Sequence, residues 1–172
     1  KLISEVQKAL GQPDGCAEHN YVLTTILENA SRNKKEIHVC WLDLADAFGS
    51  VPHDLIWHTV DKMGLDENTL ELFQNMYQDS ETVYQCQEIF SEPIKVTQGV
   101  KQGCPLSMTL FCLSIDFLLR EVQKMPNSPV IQGYDIPILA YADDLVLFAT
   151  TLPNLQRQVN RICNLATWAL LK

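Results

Sequence analysis

Two neighbouring carboxylates, Asp143 and Asp144, close the tetrapeptide Tyr141-Ala142-Asp143-Asp144 between the apolar runs Pro137 to Ala140 and Leu145 to Ala149. Packing gives no reason for such a pair, because burying charge without a partner costs several kcal/mol. A divalent cation resolves the conflict, since hard ions such as Mg²⁺ take carboxylate oxygens held on a rigid element. Asp43, 100 residues earlier, ends another apolar segment and offers a carboxylate from a second element. Metal-assisted nucleotidyl transfer needs two cations about 3.5–4 Å apart, bridged by carboxylates from separate elements. A third segment, Gln98-Gly99-Val100-Lys101-Gln102-Gly103-Cys104-Pro105-Leu106-Ser107, is glycine-rich and polar and feeds an apolar helix. Such a loop offers close backbone approach and side-chain amides to a ligand. Singly, each feature has a plainer reading. Asp43 could begin a turn, Asp143-Asp144 could be a hairpin tip, and Asp46 or Asp54 could cap a helix.

The elements that position these residues follow from periodicity and punctuation. Residues 1–10 and 19–32 read as helices separated by the turn-rich Gly11-Gln12-Pro13-Asp14-Gly15. Ile37 to Leu44 alternates Ile37, Val39 and Trp41 on one face, a strand that runs into Asp43. A helix is predicted after Ser50-Val51-Pro52 as far as Met63, stopped by Gly64. Asp66 then caps a second helix with Leu70, Phe73 and Tyr77 on one stripe. Glu81 to Gln87 and Ile94 to Thr97 read as short strands, and Leu106 to Lys124 as a buried helix. The carboxylate hairpin follows, and Pro153 opens a last amphipathic helix patterned by Leu155, Val159, Ile162, Leu165 and Trp168. Helices grouped against a mostly antiparallel sheet make an α+β fold.

The 172 residues suit one domain, with 47% hydrophobic and 20% charged residues. No run of roughly 18 apolar residues offers a membrane span, and Lys1-Leu2-Ile3-Ser4 has no signal-peptide pattern. Beginning and ending inside helical patterns, the chain reads as part of a longer protein. The six cysteines contain no C-x-x-C pair and sit mostly in apolar segments, so they read as buried free thiols in a reducing compartment. A net charge of −8 argues against autonomous nucleic-acid binding, which needs clustered Lys and Arg. Arg32, Lys34 and Lys35 form the only basic cluster and read as a solvated turn.

Taken together and in this order, the three segments resemble the palm of reverse transcriptases, most of all those of non-LTR retrotransposons. Trp41-Leu42-Asp43-Leu44-Ala45-Asp46-Ala47-Phe48-Gly49-Ser50-Val51-Pro52-His53 resembles that family's first metal motif. Gln98 to Ser107 resembles its template and nucleotide loop, and Tyr141 to Asp144 its Y/F-A-D-D box. Pro13 to Asn20 resembles the stretch that precedes these motifs. Met108 departs from the pattern, standing where the family usually has Pro.

The resemblance implies an RNA-directed DNA polymerase that joins dNTPs to a primer 3′-hydroxyl. Asp43, Asp143 and Asp144 would be the catalytic carboxylates, holding two Mg²⁺ ions (Mn²⁺ as substitute) with the carbonyl of Leu44. Asp46, Ala47, Phe48, Gln102 and Gly103 would face the nucleotide, Phe48 as the wall against a ribose 2′-hydroxyl. Tyr141 would sit at the primer end. Residues 1–36 would be helices next to the fingers and 37–172 the palm core, with the later palm motifs and thumb absent. Implied partners are template RNA, primer DNA and dNTP, together with the fingers, thumb and endonuclease segments of the same polyprotein, and no membrane. The implied location is intracellular, nuclear or cytoplasmic. The isolated fragment is expected to bind Mg²⁺ weakly and extend primers poorly. The alternative is a decayed or domesticated remnant that acts as a structural or binding module.

Overall fold

Leu106 to Lys124 is apolar on nearly every side, and the helix it forms is the one around which the chain is built. The computed structural model describes residues 2–10 and 14–171. In chain order the helices are α1 (Gly15–Arg32), α2 (Ala47–Ser50), α3 (His53–Lys62), α4 (Glu67–Tyr77), α5 (Ser107–Gln123) and α6 (Leu152–Trp168). The strands are β1 (His38–Leu42), β2 (Glu81–Thr82), β3 (Gln85–Cys86), β4 (Ile89–Phe90), β5 (Ile94–Lys95), β6 (Val130–Ile131), β7 (Tyr134–Asp135), β8 (Ile138–Tyr141) and β9 (Asp144–Ala149).

The principal sheet is antiparallel, with the order β1-β9-β8. Its register pairs Leu42 with Leu145 and Tyr141 with Asp144. Because side chains alternate along a strand, the sheet is apolar on both faces. Leu42, Leu145, Leu147, Ile138 and Ala140 pack on Leu119 and Val122 of α5 and on Leu155 and Ile162 of α6. Val39, Val146, Leu139 and Phe148 pack on Val22, Leu23 and Ile26 of α1. A further cluster joins Ile56 and Val60 of α3 to Phe111, Ile115 and Leu118 of α5. Each fully buried side chain of this size contributes about 1.5–3 kcal/mol, so α5, which serves two clusters, fixes the sheet relative to α3.

Several boundaries match the sequence reading. Asp66 caps α4, its carboxylate accepting from the Thr69 N–H at 3.1 Å. Met63 and Gly64 end α3, Gly64 in the left-handed region at φ +72°. Pro153 lies in the first turn of α6. Four expectations are corrected. Residues 2–10 are not helical: they run beside β8 as a short parallel bridge, with the Lys8 N–H donating to Ala140 and the Ala140 N–H to Val6, both at 3.0 Å. The Ser4 N–H donates to Asp116 at 2.7 Å, anchoring this segment on α5. These long-range bonds override the helix-like spacing of Leu2, Ile3, Val6 and Leu10. α1 begins at Gly15 rather than at residue 19. Glu81 to Gln87 is split, β2 pairing with β5 and β3 with β4, so neither half continues the other. The cysteines are mostly not buried, for only Cys112 is enclosed, while Cys16, Cys86 and Cys163 are exposed. The turn expected at Gly11-Gln12-Pro13 lies outside the described residues, as do Lys1 and Lys172.

Candidate active site

β8 and β9 are joined by the two-residue turn Ala142-Asp143, which leaves Tyr141 opposite Asp144. One step beyond the Leu42–Leu145 pair, the same ladder carries Asp43 to a place beside Asp144. Three carboxylates from two adjoining strand ends are therefore brought to one edge of the sheet. No ion pair joins any of them to a basic side chain among the described residues. Asp43 and Asp144 line a cleft of about 440 Å³ with Trp41, Tyr141, Cys16 and His19. Asp143 stands on the α5 side, where its charge reaches the Cys112 thiol. Burial first, then Asp116 and Asp143, push that thiol up to about 12. The Asp carboxylates are thus set on two sides of the turn. Among the described residues, no group of three or more His, Cys, Asp or Glu side chains converges closely enough to hold a metal ion.

The turn itself is held from a distance. Ala142 adopts φ +52°, a conformation that costs a residue with a Cβ on the order of 1–2 kcal/mol. Gln7, only 4% exposed, meets both of its backbone groups. The Ala142 N–H donates to Gln7 Oε1 at 2.8 Å, and Gln7 Nε2 donates to the Ala142 carbonyl at 3.1 Å. Tyr141 is partly exposed, and its phenol is raised above its usual range, first by charge repulsion from the neighbouring Cys16 sulfur and then by a hydrogen bond to it. Neither Gln7 nor Cys16 was singled out by the sequence reading, and no local signal marks a contact made 135 residues along the chain.

After Asp43 the chain turns sharply through Asp46, which is left-handed at φ +49° and starts α2. Gly49 makes room for the Asp46 side chain, since a Cβ there would meet Asp46 Oδ1 at 2.4 Å. Gly99, at φ +86°, lets the glycine-rich loop lie directly on α2, because its added Cβ would meet the Gly49 carbonyl oxygen at 2.8 Å. Two short bonds lock the contact: Gly99 N–H to Val51 O and Val100 N–H to Phe48 O, both 2.7 Å. The segments containing Phe48 and Gln102 are therefore docked to each other. Phe48 is half-buried and stacks on Phe111 of α5 with ring centroids 4.7 Å apart. Leu44 packs into the same cluster, Ala47 is buried, and Gln102 and Gly103 are exposed. Met108, in place of the expected Pro, packs against this cluster from the first turn of α5.

His53, the last residue of the first motif, also bears on the loop. Half-buried at the start of α3, it donates from Nε2 to the Gly99 carbonyl at 3.0 Å and packs edge-on to Tyr77. It thus helps seat the loop. Lys101 donates to the Met76 carbonyl and lies 5.4 Å from the Tyr77 ring centre. His58 is exposed.

The sequence profile of the reverse transcriptase (RNA-dependent DNA polymerase) family matches residues 1–172. A retrovirus-related Pol polyprotein from the type-2 retrotransposable element R2DM of Drosophila melanogaster is 34% identical over 151 residues, 87% of this chain and 14% of that protein. The Pol polyprotein of a type-1 retrotransposable element R2 from Nasonia vitripennis is 32% identical over 162 residues, 94% of this chain and 16% of that protein. The chain thus spans about a sixth of the length of these relatives. In three dimensions it is similar to an apo telomerase from Candida tropicalis truncated of its C-terminal domain, with a TM-score of 0.67. That likeness covers 95% of this chain and 34% of the telomerase chain at 14% identity, and it concerns the fold. The palm-like α+β architecture and the motif order agree with the profile: this chain belongs to the reverse transcriptase family.

Proposed function

We propose that the chain is the palm of an RNA-directed DNA polymerase of an R2-like non-LTR retrotransposon, adding dNTPs to a primer 3′-hydroxyl on an RNA template. The observation that carries this is the meeting of Asp43 with the Asp143-Asp144 turn at one sheet edge, where Asp43 and Asp144 stand exposed in one cleft. Asp43 and Asp144, neighbours on adjoining strand ends, offer the oxygen ligands a hard divalent cation takes, and Asp143 would have to turn in from the α5 side to join them. Asp43, Asp143, Asp144 and the Leu44 carbonyl would hold two Mg²⁺ ions, with Mn²⁺ able to replace them. Such ions activate the attacking hydroxyl and neutralise the leaving phosphates.

The chain's own residues supply position. The left-handed turn at Asp46 presents the backbone of Asp46 and Ala47 towards an incoming triphosphate, as anion-binding concavities do. Phe48, backed by Phe111, is a rigid wall against a 2′-hydroxyl. Gln102 and Gly103 border the nucleotide from the loop seated on α2, and Tyr141 offers its ring to the primer end. Residues 37–172 make the palm core in this reading, and residues 1–36 adjoin the fingers. Basic fingers, a thumb and an endonuclease belong to the remainder of the polyprotein, which explains how an acidic palm with a net charge of −8 works on nucleic acid. No helix among the described residues is long and apolar enough to cross a membrane.

Primer extension by the complete protein tests the reading. Asp143→Asn should abolish dNTP incorporation while leaving the melting transition in place. Surviving incorporation would mean that the metal site is misassigned. A preference for NTPs over dNTPs would assign the palm to an RNA polymerase.

A further inference from the structure

We infer that Gln7 is a positioning residue for the Asp143-Asp144 turn, acting from the opposite end of the chain through the backbone of Ala142. The inference rests on the polymerase reading of that turn. A carboxamide that is almost wholly buried must place its donor and its acceptor. Gln7 sends both to one residue: Oε1 takes the Ala142 N–H at 2.8 Å and Nε2 reaches the Ala142 carbonyl at 3.1 Å. Oε1 also accepts from the Ala9 N–H at 3.2 Å, which holds the carboxamide in place.

The side chain thereby does what a neighbouring strand does. β8 lies at the edge of the sheet, and its outer side is met by Val6 and Lys8 through Ala140. Two residues on, the ladder stops and the backbone turns left-handed at Ala142. Gln7 extends the pairing around that corner. Without it, the buried N–H and carbonyl of Ala142 would lose their partners, and the strained φ would be free to relax. Asp143 and Asp144 follow directly on that dihedral, so a relaxed Ala142 swings both carboxylates relative to Asp43. A displacement near 1 Å at reacting groups costs about a hundredfold in rate.

A glutamine that only fills the sheet edge would behave differently, and the two roles separate by experiment. In the complete protein, Gln7→Met keeps the length of the side chain without its amide, and Gln7→Asn keeps the amide but is too short to reach Ala142. Ser4→Ala is the control, because Ser4 Oγ donates to Gln123 at 2.6 Å and anchors the same segment without touching the turn. Both Gln7 variants should lower kcat by about 10- to 100-fold, with KM for dNTP and primer-template affinity within about twofold of the parent. Amide exchange in the peptide spanning residues 138–145 should rise by at least about tenfold. Terbium luminescence sensitised by Tyr141 should titrate at higher Tb³⁺ concentration. Ser4→Ala should leave all of these near the parent values. A folded Gln7 variant with parental kcat and parental exchange overturns the inference. So does loss of the folded state in both variants, which would make Gln7 a folding residue. If the parent protein extends no primer, the polymerase reading fails, while the exchange measurement still decides whether Gln7 holds the turn.

Discussion

Replacing Gly99 by Ala tests whether the glycine-rich loop is held on α2 by backbone contact. Two costs arise. A Cβ at φ +86° costs about 1–2 kcal/mol. The same Cβ would lie 2.8 Å from the carbonyl oxygen, 2.9 Å from the Cα and 3.0 Å from the carbonyl carbon of Gly49. Backbone cannot rotate away as a side-chain tip can, and overpacking of this kind costs about 1–3 kcal/mol more. Gly103 separates the two, because at φ +84° it has nothing within 4 Å of its would-be Cβ. Gly103→Ala should therefore carry the conformational cost alone. Exchange of the Gly99 and Val100 amides, which donate to Val51 and Phe48, reports local opening of the docked loop. Gly99→Ala should open it about 1–3 kcal/mol more easily than Gly103→Ala, roughly 5- to 150-fold in the opening equilibrium. Equal effects within about 0.5 kcal/mol would refute the backbone contact as the fastening.

Phe48→Val removes the ring stacked on Phe111 and should cost about 1–2 kcal/mol of stability; in the complete protein it should also admit ribonucleotides more readily, read as the ratio of rNTP to dNTP incorporation. Glu121 on α5 accepts from Lys124 and from Arg161 of α6, each at 2.5 Å, and these bonds lower its carboxyl to about 2. A depressed carboxylate stabilises the fold above its unfolded value of about 4.3 and loses that contribution as pH falls towards the folded value. Glu121→Gln should therefore lower the melting temperature at pH 6, and the difference from the parent should vanish towards pH 2.

The parts legible in the sequence are those fixed by near neighbours. α5 is apolar on nearly every side and could only be central, the Asp66 cap needs only Thr69, and the alternation of Ile37 and Val39 sets the face that β1 turns to α1, although Trp41 in the same row stays exposed. The candidate site was legible as three motifs because each sits on one local element. Their fastenings were not. Gly49 and Gly99 show only as glycines until the loop is laid on α2, and Gln7 resembles any polar residue in a helix-like run. The cysteines misled for the same reason, since apolar neighbours do not say which face a residue takes. Gln132-Gly133, both at positive φ, is a two-residue hairpin turn between β6 and β7 whose signal is local.

The bridge between residues 6–8 and Ala140 also sets an order of events during synthesis. Ribosomes extend a chain by about 5–20 residues per second, so Gln7 waits roughly 7–27 seconds for Ala142, 135 positions later. The β8-β9 hairpin can form by itself within microseconds, but its corner is fastened only when residues 6–8, made well before it, return to it. Among the contacts described, this one has a very high sequence separation, the kind that slows folding. The carboxylate edge is thus completed late, after most of the core that supports it has been made.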